Sequence, residues 1–223
     1  MRRRWTLSLS CAALAAVALS PSLLFGSIED QRARLPPAAE QDAGADCSDP
    51  AAGTWLGQQY NQRSRSWQRY ELTVRRASPG SNALVGEVRV HFWNGWYSHS
   101  TPQTDCSRPH LAAEVVQNAT GTINGLELTF GGNDWRTSRV FCQPPGTRVA
   151  YNPDHFTGTI NVAIQEFQSV NNDGGSAVNE PVVFRRVRCA EATVQPRVVV
   201  VAPAEIPRPP STSRPRPLFG CSR

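Results

Sequence analysis

The sequence contains no lysine: all 23 basic residues are arginine. Schiff-base and other lysine-dependent chemistry is therefore excluded. There is no Cys-x-x-Cys pair, which argues against zinc ribbons and thioredoxin-like redox chemistry. No Gly-x-Ser-x-Gly elbow is present, so Ser100 and Ser138 lack the context of a serine nucleophile. Beyond the first 25 or so residues, no run is apolar enough to cross a bilayer. The net charge of +5 is modest, and the arginines are scattered without the basic stripe a phosphate backbone needs. Nucleic acid is not an expected partner. Between Cys47 and Cys189 no stretch shows a helical apolar period.

What is present begins with an export-type segment. Met1-Arg2-Arg3-Arg4 precedes an apolar run from Trp5 to about Phe25, the basic n-region and apolar h-region of a secretory signal peptide. Residues 1–26 are read as that signal, cleaved after Ala18-Leu19-Ser20 or near Gly26 and Ser27. The alternative is an uncleaved anchor, weakened by Ser8, Ser10, Ser20 and Pro21. Membrane contact is expected only through this segment, if it is uncleaved. Cys11 has a poor lipidation context in Ser8-Leu9-Ser10, and the apolar run continues past it. The expected location is periplasmic or secreted, where disulfides are the default. The expected pairs are Cys47 with Cys189 and Cys106 with Cys142, although spacing leaves other connectivities open. A bridge closing so long a loop as Cys47–Cys189 is worth about 4–5 kcal/mol in the chain-entropy model. Cys221 is left over, either free or linking to another chain.

The polar segment 27–46, with Pro36-Pro37 and no periodicity, reads as a flexible linker. From Cys47 to Cys189 apolar residues alternate with period two, as in half-buried antiparallel strands. Tyr70, Leu72 and Val74 share a face. So do Leu84, Val88, Val90 and Phe92, and Leu126, Leu128 and Phe130. Phe156, Ile160, Val162 and Ile164 read as one further strand, and a last strand runs from about Pro181 to Cys189. Turn signals separate them, among them Pro79-Gly80, Asn124-Gly125, Gly131-Gly132-Asn133-Asp134 and Asn172-Asp173-Gly174-Gly175. Asn124-Gly125 predicts a hairpin of type I′. Thr120–Asn124 is echoed at Thr157–Asn161, but the second copy reads as running on through Val162. About eight short strands predict an all-β domain, residues 47–189, built as an antiparallel up-and-down β-barrel; a β-sandwich is the alternative. Val198–Val201 suggests one more edge strand. Residues 190–223 form a Pro/Arg-rich tail, read as disordered like the N-terminal segment.

The first strand of the domain, Gly53-Thr54-Trp55-Leu56-Gly57, resembles the Gly-x-Trp opening of the calycin barrels, the lipocalins and avidins. The resemblance implies a closed barrel whose Trp plugs one end, an Arg of the last strand packed across it, and ligand binding. Arg185, which shares a face with Val183 and Val187, is the expected counterpart of Trp55; Arg186 and Arg188 are its rivals. Independently of any family, a guanidinium can stack on an indole face while capping an apolar barrel end.

The long segment from Trp93 to His110 is the expected functional loop. Trp93, Trp96, Tyr97, His99 and His110 are its candidate ligand-binding residues, since exposed aromatics beside Asn and His suit sugar rings or flat ligands. The competing reading folds Trp96 and Tyr97 back as a hydrophobic plug. No metal and no cofactor is expected, because His91, His99 and His110 lack the spacing that converges ligands. Asp154-His155 looks like half a dyad, but neighbours on a strand point to opposite faces. Glu166, Asp173 and Glu180 flank one glycine-rich turn, which reads as a plain turn more readily than as a calcium loop. The expected role is non-enzymatic: an exported barrel binding a small or glycan-like ligand through the aromatic loop at one open end. The alternatives are an envelope structural or interaction protein, and a hydrolase with a His/carboxylate site.

Overall fold

The computed structural model describes residues 27–38, 45–175 and 177–191. The export segment, Cys11, the strand expected at 198–201, the Pro/Arg tail and Cys221 lie outside the described residues. Helix α1 (Ile28–Arg34) precedes ten strands: β1 (Ala45–Asp46), β2 (Gly53–Asn61), β3 (Ser66–Arg76), β4 (Ala83–Asn94), β5 (Ala112–Asn124), β6 (Glu127–Gly132), β7 (Arg136–Cys142), β8 (His155–Asn161), β9 (Glu166–Asn172) and β10 (Val178–Glu191). Eight of them close an antiparallel barrel in the order β2-β3-β4-β5-β6-β8-β9-β10, with β10 returning to β2. β7 stands off this path, paired with β5.

The alternation behaves as the pattern predicts. On β3, Gln68, Tyr70, Leu72 and Val74 are buried, while Arg69, Glu71 and Thr73 are exposed. Inward side chains fill the interior: Trp55, Tyr70, Leu72, Val88 and Phe130 meet Phe156, Phe167 and Phe184 in one continuous core. The aromatic members pack edge-to-face or stacked, as Tyr70–Phe156 at 5.2 Å and Phe167–Phe184 at 5.7 Å do.

Four local expectations are corrected. The segment 27–46 is not all linker. Ser27 caps α1 by accepting Asp30 N at 3.2 Å, and Gln31 anchors the helix on β10 through Pro181 O (2.8 Å) and Val183 N (2.9 Å). The hairpin turns one residue later than expected: Asn124 pairs with Glu127, and Gly125 has a φ of +62°. With glycine leading the two-residue Gly125-Leu126 loop, this is the pattern of a type II′ turn. The strand through Phe156 ends at Asn161 instead of running to Ile164, because Asn161 Oδ1 accepts Ala163 N at 3.1 Å and Gln165 takes a φ of +54°. Both copies of the Thr-Gly-Thr-Ile-Asn echo therefore end a strand at their asparagine.

The fourth correction concerns the closed end. The guanidinium over Trp55 belongs to Arg186, at 5.0 Å, and not to Arg185. Val182, Phe184 and Arg186 point inward, whereas Val183 owes its burial to the outer face beneath α1. Its apolar character made the wrong face of β10 look like the core face. Arg185 points outward and bonds Glu166 Oε1 at 2.7 Å. Trp55 donates Nε1–H to Ala51 O (2.9 Å), and Arg186 donates to Gln165 Oε1 (2.6 Å), Asp49 O (2.7 Å) and Ala52 O (3.1 Å). The chain at 49–52 is thereby folded under this end.

Both expected cysteine pairs are bridged: Cys47–Cys189 with Cα atoms 5.0 Å apart, and Cys106–Cys142 at 4.9 Å. The first lies at the β2–β10 seam, where Gly53 pairs with Cys189. Two disulfides fit an oxidising, non-cytoplasmic environment. Among the described residues no helix is long and apolar enough to cross a membrane.

The plug makes a stability prediction. Arg186→Ala removes the partner of one buried and two half-buried acceptors and exposes the indole face, and should lose about 3 kcal/mol. Arg186→Lys should fall between it and the parent, since an ammonium reproduces neither the stack nor the fork. Urea denaturation measures both; unchanged midpoints would show that the plug contributes nothing.

Candidate functional site

The segment from Gly95 to Leu111 does not cross a barrel mouth; it lies along the outer wall. The cause is a set of outward-facing aromatics on that wall. Trp67 and Trp93 are cross-strand partners on β3 and β4, both fully buried, with rings stacked at 6.2 Å. Tyr60 packs on Trp67 at 5.1 Å, and Tyr97 on both Tyr60 and Trp67 at 5.5 Å. Left bare, this would be a large apolar patch on a polar wall. The 95–111 strap covers it.

Polar groups of the wall hold the strap through its own carbonyls. Trp67 Nε1 donates to Trp96 O (3.1 Å), Trp93 Nε1 to His99 O (2.7 Å) and Gln58 Nε2 to Ser100 O (2.9 Å), and His91 Nε2 lies 2.9 Å from Gln103 O. Gln103, buried inside the strap, donates to Asp105 O and Arg108 O, each at 2.7 Å. Cys106–Cys142 ties the strap to β7. At the other end the Tyr97 hydroxyl donates to Asp30 and accepts from Arg34, whose guanidinium also sits 5.0 Å over Trp67.

The five expected ligand residues therefore divide. Trp93 is buried under the strap, and Tyr97 is committed to α1. Trp96 is 58% exposed, with Arg65 at 4.8 Å over its ring. His99 and His110 lie near each other, ring centres 6.4 Å apart, and His99 Nδ1 accepts Trp96 N at 3.3 Å. None of the five lines either of two clefts on the outer wall.

A trough opens beside the strap instead. One cleft of ≈ 290 Å³ is lined by Arg69 and Glu71 of β3, Arg89 and His91 of β4, Glu114 of β5, and Pro102 and Thr104 of the strap. A second, of ≈ 270 Å³, lies between the end of α1 and β2, lined by Arg34, Leu35, Leu56 and Gln58. Arg69 lines both and joins them across four strands. Arg89 donates to Glu114 and to Glu87, each at 2.8 Å. Arg89 and the Ser138 hydroxyl hold the Glu114 carboxyl below its usual range against the opposing effect of burial, so it stays ionised. Burial lowers the pKa of His91, whose ring stacks on Phe141 at 4.4 Å. Arg69 and Glu71 make no salt bridge among the described residues. The trough thus offers two charges of opposite sign on β3 without a salt bridge, beside two on β4 and β5 that are locked together.

The barrel end opposite Trp55 holds a buried polar network that the pattern did not reveal. Asp154 Oδ1 accepts Asn171 Nδ2 (2.6 Å), and Oδ2 accepts Gln117 Nε2 (2.8 Å) and the Tyr151 hydroxyl (2.7 Å). Asn171 continues to Tyr70, which joins Gln68 and Gln59. The sequence marks Asp154 only through the Asp154-His155 dipeptide. The two do point apart: Asp154 is buried, and His155 is exposed with Nδ1 near Pro153 O. Burial, partly offset by the three hydrogen bonds, raises the pKa of Asp154 to about 6.

Other candidates fall into structural roles. Glu166 is held by Arg32 and Arg185. Asp173 Oδ1 accepts Gly175 N and Ala177 N, the bonds of a plain turn. Among the described residues no histidine meets a carboxylate, and no three potential ligands converge on a metal position. Comparison with protein-family models, with curated proteins and with solved structures gives no match.

Asp154 sets a pH dependence. Its folded pKa lies above its ordinary value of 3.8, so between that value and about 6 the folded state holds the extra proton. Its contribution to stability falls as pH rises through this window, by roughly 3 kcal/mol in all. Asp154→Asn carries a fixed donor mismatch but no titration. Measured by urea denaturation from pH 4 to 7, the variant should gain about that much relative to the parent. A constant difference would mean that the carboxyl titrates normally.

Proposed function

We propose that this chain is an exported, non-enzymatic binding protein, periplasmic or secreted, that holds a polar, glycan-like ligand in the outer-wall trough beside the strap. The observation that carries this reading is the Arg69–Glu71 pair without a salt bridge, set on β3 beside the locked Arg89–Glu114 pair in a cleft that Pro102 and Thr104 of the strap also line. A carboxylate and a guanidinium on neighbouring positions accept from and donate to vicinal hydroxyls. His91, stacked on Phe141, adds aromatic surface to the trough. The filled interior supports placing the ligand outside the barrel. The basic-then-apolar start of the chain and the two disulfides support export. His91 Nε2 is engaged by Gln103 O and Glu114 by arginine, an arrangement that suits holding a ligand better than proton transfer.

An interaction role is the second reading. It rests on Leu126, Val162 and Ile164, which stand 41–46% exposed on adjacent turns at the plugged end.

Titration calorimetry against a panel of neutral and acidic oligosaccharides tests the first reading. The parent should bind at least one class. Arg69→Ala combined with Glu71→Ala should weaken that binding by about tenfold or more, with stability changed by no more than about 0.5 kcal/mol. A parent that binds none of the panel, or a double variant that binds equally well, would remove the trough as the site.

A further inference from the structure

Strand β7 pairs with β5 alone among the described strands. Apart from the two-residue β1, every other described strand has a neighbour on each side. Among the described residues the far side of β7 is thus an open edge of backbone N–H and C=O groups.

Register decides which side chains accompany that edge. Val116 pairs with Arg136 and Glu114 with Arg139, and shifts in register leave Ser138 and Phe141 as the extra residues of two bulges. Cross-strand partners share a face. Arg136 and Arg139 therefore stand on the Glu114 side, the outer face of the barrel, although three positions apart. Thr137 and Val140 stand on the other face, and Val140 is 43% exposed. Glu114 is already held by Arg89 and Ser138, and neither β7 arginine makes a salt bridge among the described residues. β7 itself carries no acidic residue.

We propose that β7 is a docking edge for an extended peptide segment alternating acidic and apolar residues. The segment adds as a further strand, its carboxylates beside Arg136 and Arg139 and its apolar side chains beside Val140. Charge selects this occupant over a second copy of the chain, because antiparallel self-pairing sets the arginine-bearing faces beside each other. The bulges bend the edge and restrict it to a short partner.

The test uses the purified full chain and a fluorescent peptide alternating Glu and Val, followed by anisotropy and by amide hydrogen exchange. The peptide should bind and protect β7 amides. Arg136→Glu with Arg139→Glu should weaken binding by about tenfold or more, and a Lys-for-Glu peptide should restore binding to that variant. Both arginines are exposed, and rescue by the Lys peptide also shows that the variant is folded. No binding at about 1 mM peptide overturns the proposal, as does binding that leaves β7 amides unprotected. Protection of β7 without peptide, with concentration-dependent dimerisation in sedimentation, would assign the edge to a second copy and overturn it equally.

Discussion

Closure with eight strands is the constraint on which the rest depends. A barrel of that size encloses little more than its own inward side chains. Here the large ones, Trp55, Tyr70 and Phe184 among them, leave the interior occupied. The Trp55–Arg186 plug seals one end, and the Asp154 network fills the other with side chains that satisfy one another. The clefts that remain are on the outer wall, among the outward-facing side chains of β2 to β5.

The outer wall is divided by what the strap covers. Over Trp67 and Trp93 the strap supplies carbonyls to two indole N–H groups that burial would otherwise strand. Those two bonds and the Cys106–Cys142 bridge fix the strap at several points along its length. One flank of the strap then becomes a wall of the trough, through Pro102 and Thr104. Trp67 and Trp93 thus hold in place the backbone that borders the charged groups.

Much of the architecture was legible because period-two alternation is a direct consequence of a half-buried sheet. Tyr70, Leu72 and Val74 needed nothing else. The cysteine pairs were legible because Cys47 and Cys189 bracket the strand pattern. Burial from the outer side hid two features of the wall. Val183 is apolar because α1 lies on it, and it drew attention to Arg185 in place of Arg186. Trp93 is apolar because the strap lies on it. A one-dimensional pattern records that a residue is buried, not which face buries it. Nor could it assemble the trough, whose charged residues come from three strands and look like ordinary solvent-facing positions. Asp154 was hidden for the opposite reason, since a buried carboxylate resembles an exposed one until its partners on β5 and β9 are in place.

The length of β6 links the remaining features. β6 ends at Gly131-Gly132, while β5 runs on for another half-length beyond it. Any side chain at Gly132 would meet Gln117 Oε1 at 2.0 Å, and at Gly131 would meet His155 at 2.6 Å. The two glycines let the chain leave the barrel at this point. β7 then returns along the vacated half of β5, outside the barrel path, and its far edge stays open. The gap this leaves in the wall is closed by the following segment, which brings Tyr151 against Phe92 and Trp135 and carries Asp154 inward to Gln117 and Asn171. The buried carboxylate, the open edge and the disulfide anchor of the strap at Cys142 thus follow from one short strand. Lengthening β6 would have to remove all three together.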